Sequence, residues 1–124
     1  MPVNYSIDSN QGLVHTVCEG DLVFDEVANH FRELGSDPAF VDQLNLLLEL
    51  RADNVPTTQQ VFNMIEPLRG AVGNRRFNRV AVVAFSEAWY GYARMFDAAS
   101  SGFFMEPRVF SDLDTARAWI EDGG

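Results

Sequence analysis

The chain has 124 residues, 47% of them hydrophobic and 22% charged. That is enough for one globular domain with a core and too few for two. Eighteen acidic residues against nine basic ones set the formal charge at −9, and all the basic residues are arginine. A chain this acidic repels phosphate instead of releasing counterions from it, which excludes general binding to nucleic acid or to an anionic membrane surface.

Cys18 is the single cysteine, so neither an internal disulfide framework nor a cysteine metal cluster is available. The longest apolar run, Val80 to Phe85, is far short of the ~18 residues of a membrane span. The opening stretch MPVNYSIDSNQG has neither a basic nor an apolar signal region. These features predict a soluble, cytoplasmic protein.

In chain order, Val3, Tyr5 and Ile7 alternate with Asn4, Ser6 and Asp8, the period of a half-buried strand. Ser9-Asn10-Gln11-Gly12 is turn chemistry, and Leu13 to Cys18 is a second strand pairing back as an antiparallel hairpin. After Gly20-Asp21, Phe24, Val27, Ala28, Phe31 and Leu34 recur at helical spacing, with Gly35 predicted as the C-cap and Asp37-Pro38 as the stop. Leu44 to Leu50 is nearly unbroken leucine and predicts a central strand covered on both faces.

Thr57 and Gln60 form a capping box for a second helix carrying Val61, Ile65, Leu68 and Val72. Pro67 is expected to kink or divide it, and Gly73-Asn74 to close it. Val80 to Phe85 is another central strand. Ser86 then caps a helix carrying Trp89, Ala93 and Phe96, which ends at Ser100-Ser101-Gly102. Phe103 to Phe110 reads as a strand held at an edge by Pro107. Ser111, with Asp114 three residues later, is the predicted cap of a last helix whose apolar face is Leu113, Ala116, Trp119 and Ile120. The order ββαβαβαβα predicts an α/β fold over residues 1–124. Its single mixed five-stranded sheet begins with the antiparallel hairpin, continues through parallel βαβ crossovers, and is flanked by about four helices.

Several runs carry a family resemblance when taken in order: Gly12-Leu13-Val14, Gly20-Asp21-Leu22, Leu46 to Asp53, Arg79 to Phe85, Tyr92-Ala93-Arg94-Met95, Arg108-Val109-Phe110 and Ala116 to Ile120. Together they span nearly the whole chain. On them the sequence resembles the bacterial STAS-like, SpoIIAA-like domains related to anti-sigma factor antagonists. The resemblance implies a mixed sheet flanked by helices, acting without catalysis through a partner protein or through self-association. Phosphorylatable members carry Asp-Ser-Ser-Gly at the start of a helix. Here Val55-Pro56-Thr57-Thr58-Gln59-Gln60 stands in its place, a departure that weighs against a phosphorylation switch. The chain looks closer to the branch sometimes grouped with CRAL-TRIO lipid-binding domains.

Candidate sites follow from the strand ends. Ligands of open α/β sheets meet the carboxyl ends of parallel strands, where helix N-termini present unpaired N–H groups. That edge gathers Asp53, Asn54, Thr57 and Thr58 from one crossover and Ser86 and Glu87 from the next. They could bind a polar ligand or take phosphate on Thr57 or Thr58, and the competing reading is that Thr57 and Ser86 only cap helices. Trp89, Tyr90, Tyr92, Met95, Phe103 and Phe104 bring more apolar bulk than one helix face can hide, which points to a dimer interface or a lipophilic pocket. Arg69, Arg75, Arg76 and Arg79 form an acid-free segment of +4, leaving −13 on the rest of the chain. This segment could meet the carboxylates of a second copy, in salt-sensitive fashion.

His15 and His30 stand apart without metal-ligand spacing, and Cys18 reads as a small buried residue. No nucleophile elbow, phosphate loop or dinucleotide fingerprint occurs. The sequence therefore predicts no enzyme, no catalytic residue, no metal and no cofactor. Its leading reading is a homodimeric interaction or regulatory module with another regulatory protein as a possible partner. The alternative is a carrier or sensor of a small lipophilic or acidic ligand, held between the aromatic helix and the sheet.

Overall fold

The computed structural model describes residues 3–21, 24–63, 65–73, 77–99 and 104–123. Five strands, β1 (Val3–Asp8), β2 (Leu13–Gly20), β3 (Asn45–Ala52), β4 (Phe77–Ala84) and β5 (Phe104–Phe110), form one sheet in sequential order. β1 pairs antiparallel with β2, and every later neighbour is parallel. Five helical stretches accompany them: α1 (Phe24–Ser36), α2 (Thr58–Asn63), α3 (Ile65–Val72), α4 (Glu87–Ala99) and α5 (Leu113–Gly123). The predicted order ββαβαβαβα holds, with α2 and α3 together filling the one helical place between β3 and β4.

The topology follows from the connections. Joining neighbouring parallel strands in one direction with crossovers of one hand puts the intervening helices on the same face. α1, α3 and α4 accordingly share a face, and the core beneath them is Val14, Leu46, Leu48, Leu50, Val80 and Val82 with Val27, Phe31, Leu34, Trp89 and Ala93. α5 follows the last strand and is free of that constraint. It packs on the opposite face over β3, β4 and β5, where Leu47, Ala81 and Val83 meet Ala116 and Ile120. The leucine run of β3 is thus buried on both sides, as expected of a middle strand.

The hairpin is closed by Asp8, whose Oδ1 accepts the N–H groups of Asn10 (3.0 Å) and Gln11 (3.1 Å). Gly12 completes the turn at φ 63°, a conformation a side chain would strain. The capping box of α2 is formed in both directions: Gln60 N–H donates to Thr57 Oγ1 (3.2 Å) and Thr57 N–H to Gln60 Oε1 (2.8 Å).

Two local expectations, the caps at Gly35 and Ser111, need correction, and that at Pro67 holds. α1 does not stop at Gly35. It continues to Ser36, and Asp37 organises the exit by accepting Ala39 N–H (2.9 Å) and the Tyr5 hydroxyl (2.8 Å). The helix expected to be kinked or divided at Pro67 is two helices, α2 and α3, and Pro67 is the third residue of α3, in the first turn, where a missing N–H forfeits no helical bond. Met64, between α2 and α3, lies outside the described residues. The cap of α5 is Asp112 rather than Ser111, because Asp112 is the residue immediately before the first turn. Its Oδ2 accepts Thr115 N–H (2.8 Å) and the Thr115 hydroxyl (2.5 Å), which holds its carboxyl below the usual range. Asn74, Arg75, Arg76, Ser100, Ser101, Gly102 and Phe103 lie outside the described residues.

Candidate functional site

The predicted ligand edge divides. Asp53, Thr57 and Thr58 are exposed and Asn54 is half-buried, all after β3. Thr57 is engaged as the cap of α2, and Thr58 is that helix's first residue. Ser86 caps α4 by accepting Trp89 N–H (3.2 Å). Ser86 and Glu87 share an open depression of about 260 Å³ with Ala84, Phe85, Tyr90 and Ser111, and the residues after β3 do not line it.

The aromatic group also divides. Trp89 is a core residue: its indole N–H donates to Ala52 O (3.0 Å), tying α4 to the end of β3, and this bond draws the ring inward out of any surface patch. Tyr90 and Tyr92 are half-buried against the same core, and Met95 is half-buried. Phe103, and the side chain of Phe104, lie outside the described residues. Among the described residues the large exposed apolar side chains are Val41, Val55, Phe62 and Phe85.

Two of the four clustered arginines are used within the chain. Arg69 Nη1 donates to Glu66 Oε1 (3.0 Å) one turn away on α3. Arg79 Nη1 reaches Trp119 O (2.5 Å), a carbonyl near the end of α5, while its guanidinium lies 4.7 Å from the Trp119 ring centroid. Such a cation complements the negative end of the helix dipole and stacks on the indole. Arg108 approaches the same ring at 5.3 Å.

The cluster that sequence reading missed lies on the half of the sheet α5 leaves uncovered. Alternation places His15, Val17 and Glu19 of β2, Glu49 and Arg51 of β3 and, just beyond β4, Phe85 there, while Leu13 shares the face and packs against the α5 cluster. Glu49 is 4% exposed on a middle strand. His15 Nε2 bonds Glu49 Oε2, Arg51 Nε donates to Glu49 Oε1 (2.7 Å), and the Arg51 guanidinium lies 3.9 Å from the Phe85 ring centroid. Burial pushes the Glu49 carboxyl up, but the bonds and charges of His15 and Arg51 outweigh it and hold the group below the ordinary range. Its ionised form is therefore locked in place, and its charge is cancelled on the spot.

The remaining reactive groups face the other way. Cys18 is buried under α1, and desolvation pushes its thiol up to about 12, so it supplies no thiolate near neutral pH. His30 is buried on α1, 3.4 Å from Thr16 Oγ1, and burial lowers it to about 4. No group of three or more His, Cys, Asp or Glu among the described residues is placed to hold a metal ion. No helix among them is long and apolar enough to cross a membrane.

Sheet and helices together define an α/β domain built on one mixed five-stranded sheet. The SpoIIAA-like family model matches residues 13–121, and the chain belongs to that family. Its fold is similar to the crystal structure of an uncharacterized DUF3478-family protein with a SpoIIAA-like fold from Shewanella loihica. The two align at TM-score 0.60 and 15% identity, over 95% of this chain and 91% of that one. A search of the curated proteins gave no match.

Proposed function

We propose that the chain is a non-catalytic interaction module that pairs with a second copy through the uncovered half of its sheet. The observation that carries this reading is the His15–Glu49–Arg51 cluster. Arg51 and Phe85 stand there beside Val17, around a carboxylate that is already satisfied, and arginine and aromatic side chains are the types enriched at interface centres. On a molecule of net charge −9, two copies meet most easily where the charges are already cancelled. At the cluster itself Arg51 offsets Glu49, and a two-fold pairing needs only the one patch.

The non-catalytic part of the reading draws on the engaged His15 Nε2 and the buried Cys18 thiol, which leave neither poised as base or nucleophile. A lipophilic carrier has less support, since the depression beside Tyr90 is smaller than the roughly 300–1,000 Å³ of ordinary ligand pockets and is rimmed by Ser86, Glu87 and Ser111. With Arg69 and Arg79 committed internally, pairing of arginines with a second copy's carboxylates loses two of its four cations. Salt is therefore expected to strengthen association by screening the mutual repulsion of two acidic chains.

Sedimentation velocity at low and high salt tests this. A dimer that tightens with salt and dissociates in Val17→Glu and Phe85→Glu supports the proposal. A monomer at about 100 μM in both salts, or a dimer indifferent to both substitutions, overturns it.

A further inference from the structure

A second surface lies at the β1 edge of the sheet, on the α1 side. β1 ends the sheet, and among the described residues no strand lies beyond it. Between this strand and α1 runs a cleft of about 410 Å³ lined by Val3, Asn4, Tyr5, Glu26, Asn29, His30 and Glu33. Tyr5 is fixed in its wall by the hydroxyl bond to Asp37, and its ring meets His30 edge-on with centroids 5.2 Å apart. His30 is 5% exposed. Its Nε2 faces Thr16, and its Nδ1 has no hydrogen-bond partner among the described residues. Glu26, Asn29 and Glu33 are exposed and fall at the three- and four-residue intervals that make one stripe along a helix.

We propose that this cleft is a docking site for an extended, basic peptide segment of another protein, which pairs with the outer edge of β1 and lays its alternate side chains against α1. The edge of an antiparallel pair offers a row of backbone donors and acceptors, and an added strand would use them. Alternate residues of such a strand project to the same face about 7 Å apart. They would therefore pass under Glu26, Asn29 and Glu33 in turn. Two carboxylates with an amide between them select Arg or Lys at these positions, and the Val3 and Tyr5 side chains accommodate the stems. His30 is neutral near pH 7, so it adds a hydrogen-bonding group to the floor without opposing a cation. The cleft lies on the α1 side of the sheet and the His15–Glu49–Arg51 cluster on the other, with Asn4 of the cleft paired in the ladder to Val17, and this assignment does not require that face to pair.

The test uses the full chain and a synthetic peptide of alternating Val and Arg. The expected result is backbone amide shifts in an NMR titration centred on Val3–Asp8 and on α1, with slowed amide exchange along β1. Glu26→Gln with Glu33→Gln should weaken binding by about fivefold to tenfold, the range of two partly exposed ion pairs. Glu121→Gln with Asp122→Asn, which removes the same charge from the exposed end of α5, should change it less than about twofold. The same peptide with alternate backbone nitrogens methylated along its pairing edge should bind at least about tenfold more weakly. Equal losses from the two charge pairs, undiminished binding of the methylated peptide, or shifts centred on another strand would each overturn the proposal.

Discussion

Replacing His15 with Leu and Arg51 with Met, while Glu49 stays, strands a carboxylate whose side chain is 5% exposed on a middle strand. Hydrogen bonds to a charged group are worth about 1.5–3 kcal/mol each, and Glu49 loses two. The cost at pH 7 saturates, because the stranded group can take up a proton. The work of protonating a carboxyl of ordinary pKa there is about 3 kcal/mol. The double variant is therefore expected to lose about 3 kcal/mol at pH 7, a fall of about 2 M in the urea midpoint for a slope of about 1.5 kcal/mol/M.

The reverse deletion differs. In Glu49→Leu, the partners left behind are 25% and 41% exposed and return to water, while Leu fills the space among its neighbours. Its cost is expected to stay within about 1 kcal/mol, as is that of the triple variant combining all three changes. Urea unfolding of the set at pH 7 and pH 4.5 decides the matter, and the deficit of the double variant should shrink at the lower pH. If Glu49→Leu costs as much as the double variant, or the triple variant is not rescued, the reasoning is refuted: the cluster would then stabilise the sheet by attraction rather than by sparing one buried charge from isolation.

Other expectations concern titration, caps and the core. His30 is neutral in the fold, with a pKa lowered from 6.5 to about 4, so between those values the unfolded chain binds a proton that the folded chain does not. Stability should fall as pH drops through that window, by about 3 kcal/mol in all, and His30→Leu should flatten the slope in urea titrations. Glu49, Asp37 and Asp112 have depressed values, so their contributions are present above the unfolded carboxylate pKa and disappear as pH falls through the folded one. Acid unfolding monitored by circular dichroism should therefore begin with His30 and steepen below about pH 4. Asp112→Ala should lower the thermal midpoint, because it removes the cap bonds to Thr115, and Ser111→Ala should leave it essentially unchanged. Trp89→Phe should cost about 1–2 kcal/mol, because it leaves the buried Ala52 carbonyl without its indole donor.

Much of the architecture is legible in the sequence because single-element patterns carry it. The two-residue alternation of β1, the continuous leucines of β3 and the capping box at Thr57 each determine their neighbourhood through local backbone physics. The misplaced boundaries share a cause: Gly35 and Ser111 have the right chemistry at nearly the right place, and in each case an aspartate close by makes a stronger bond to the chain. Trp89 is foreseeable as a member of the helix but not as a core anchor, since its partner, the Ala52 carbonyl, is 37 residues away. The same holds more strongly for the cluster on the open face. His15 and Glu49 are 34 residues apart and meet only because the parallel register sets Val17 opposite Glu49, leaving His15 on the same face one step along the strand. The sequence does carry one signal for it. A lone glutamate inside LNLLLEL, in a strand read as covered on both sides, cannot be buried without a counter-charge and donors. Within that strand's reach on the same face, Arg51 is the obvious first partner. Asking where the second must come from leads across the ladder to β2, and hence to the face on which the proposed pairing depends.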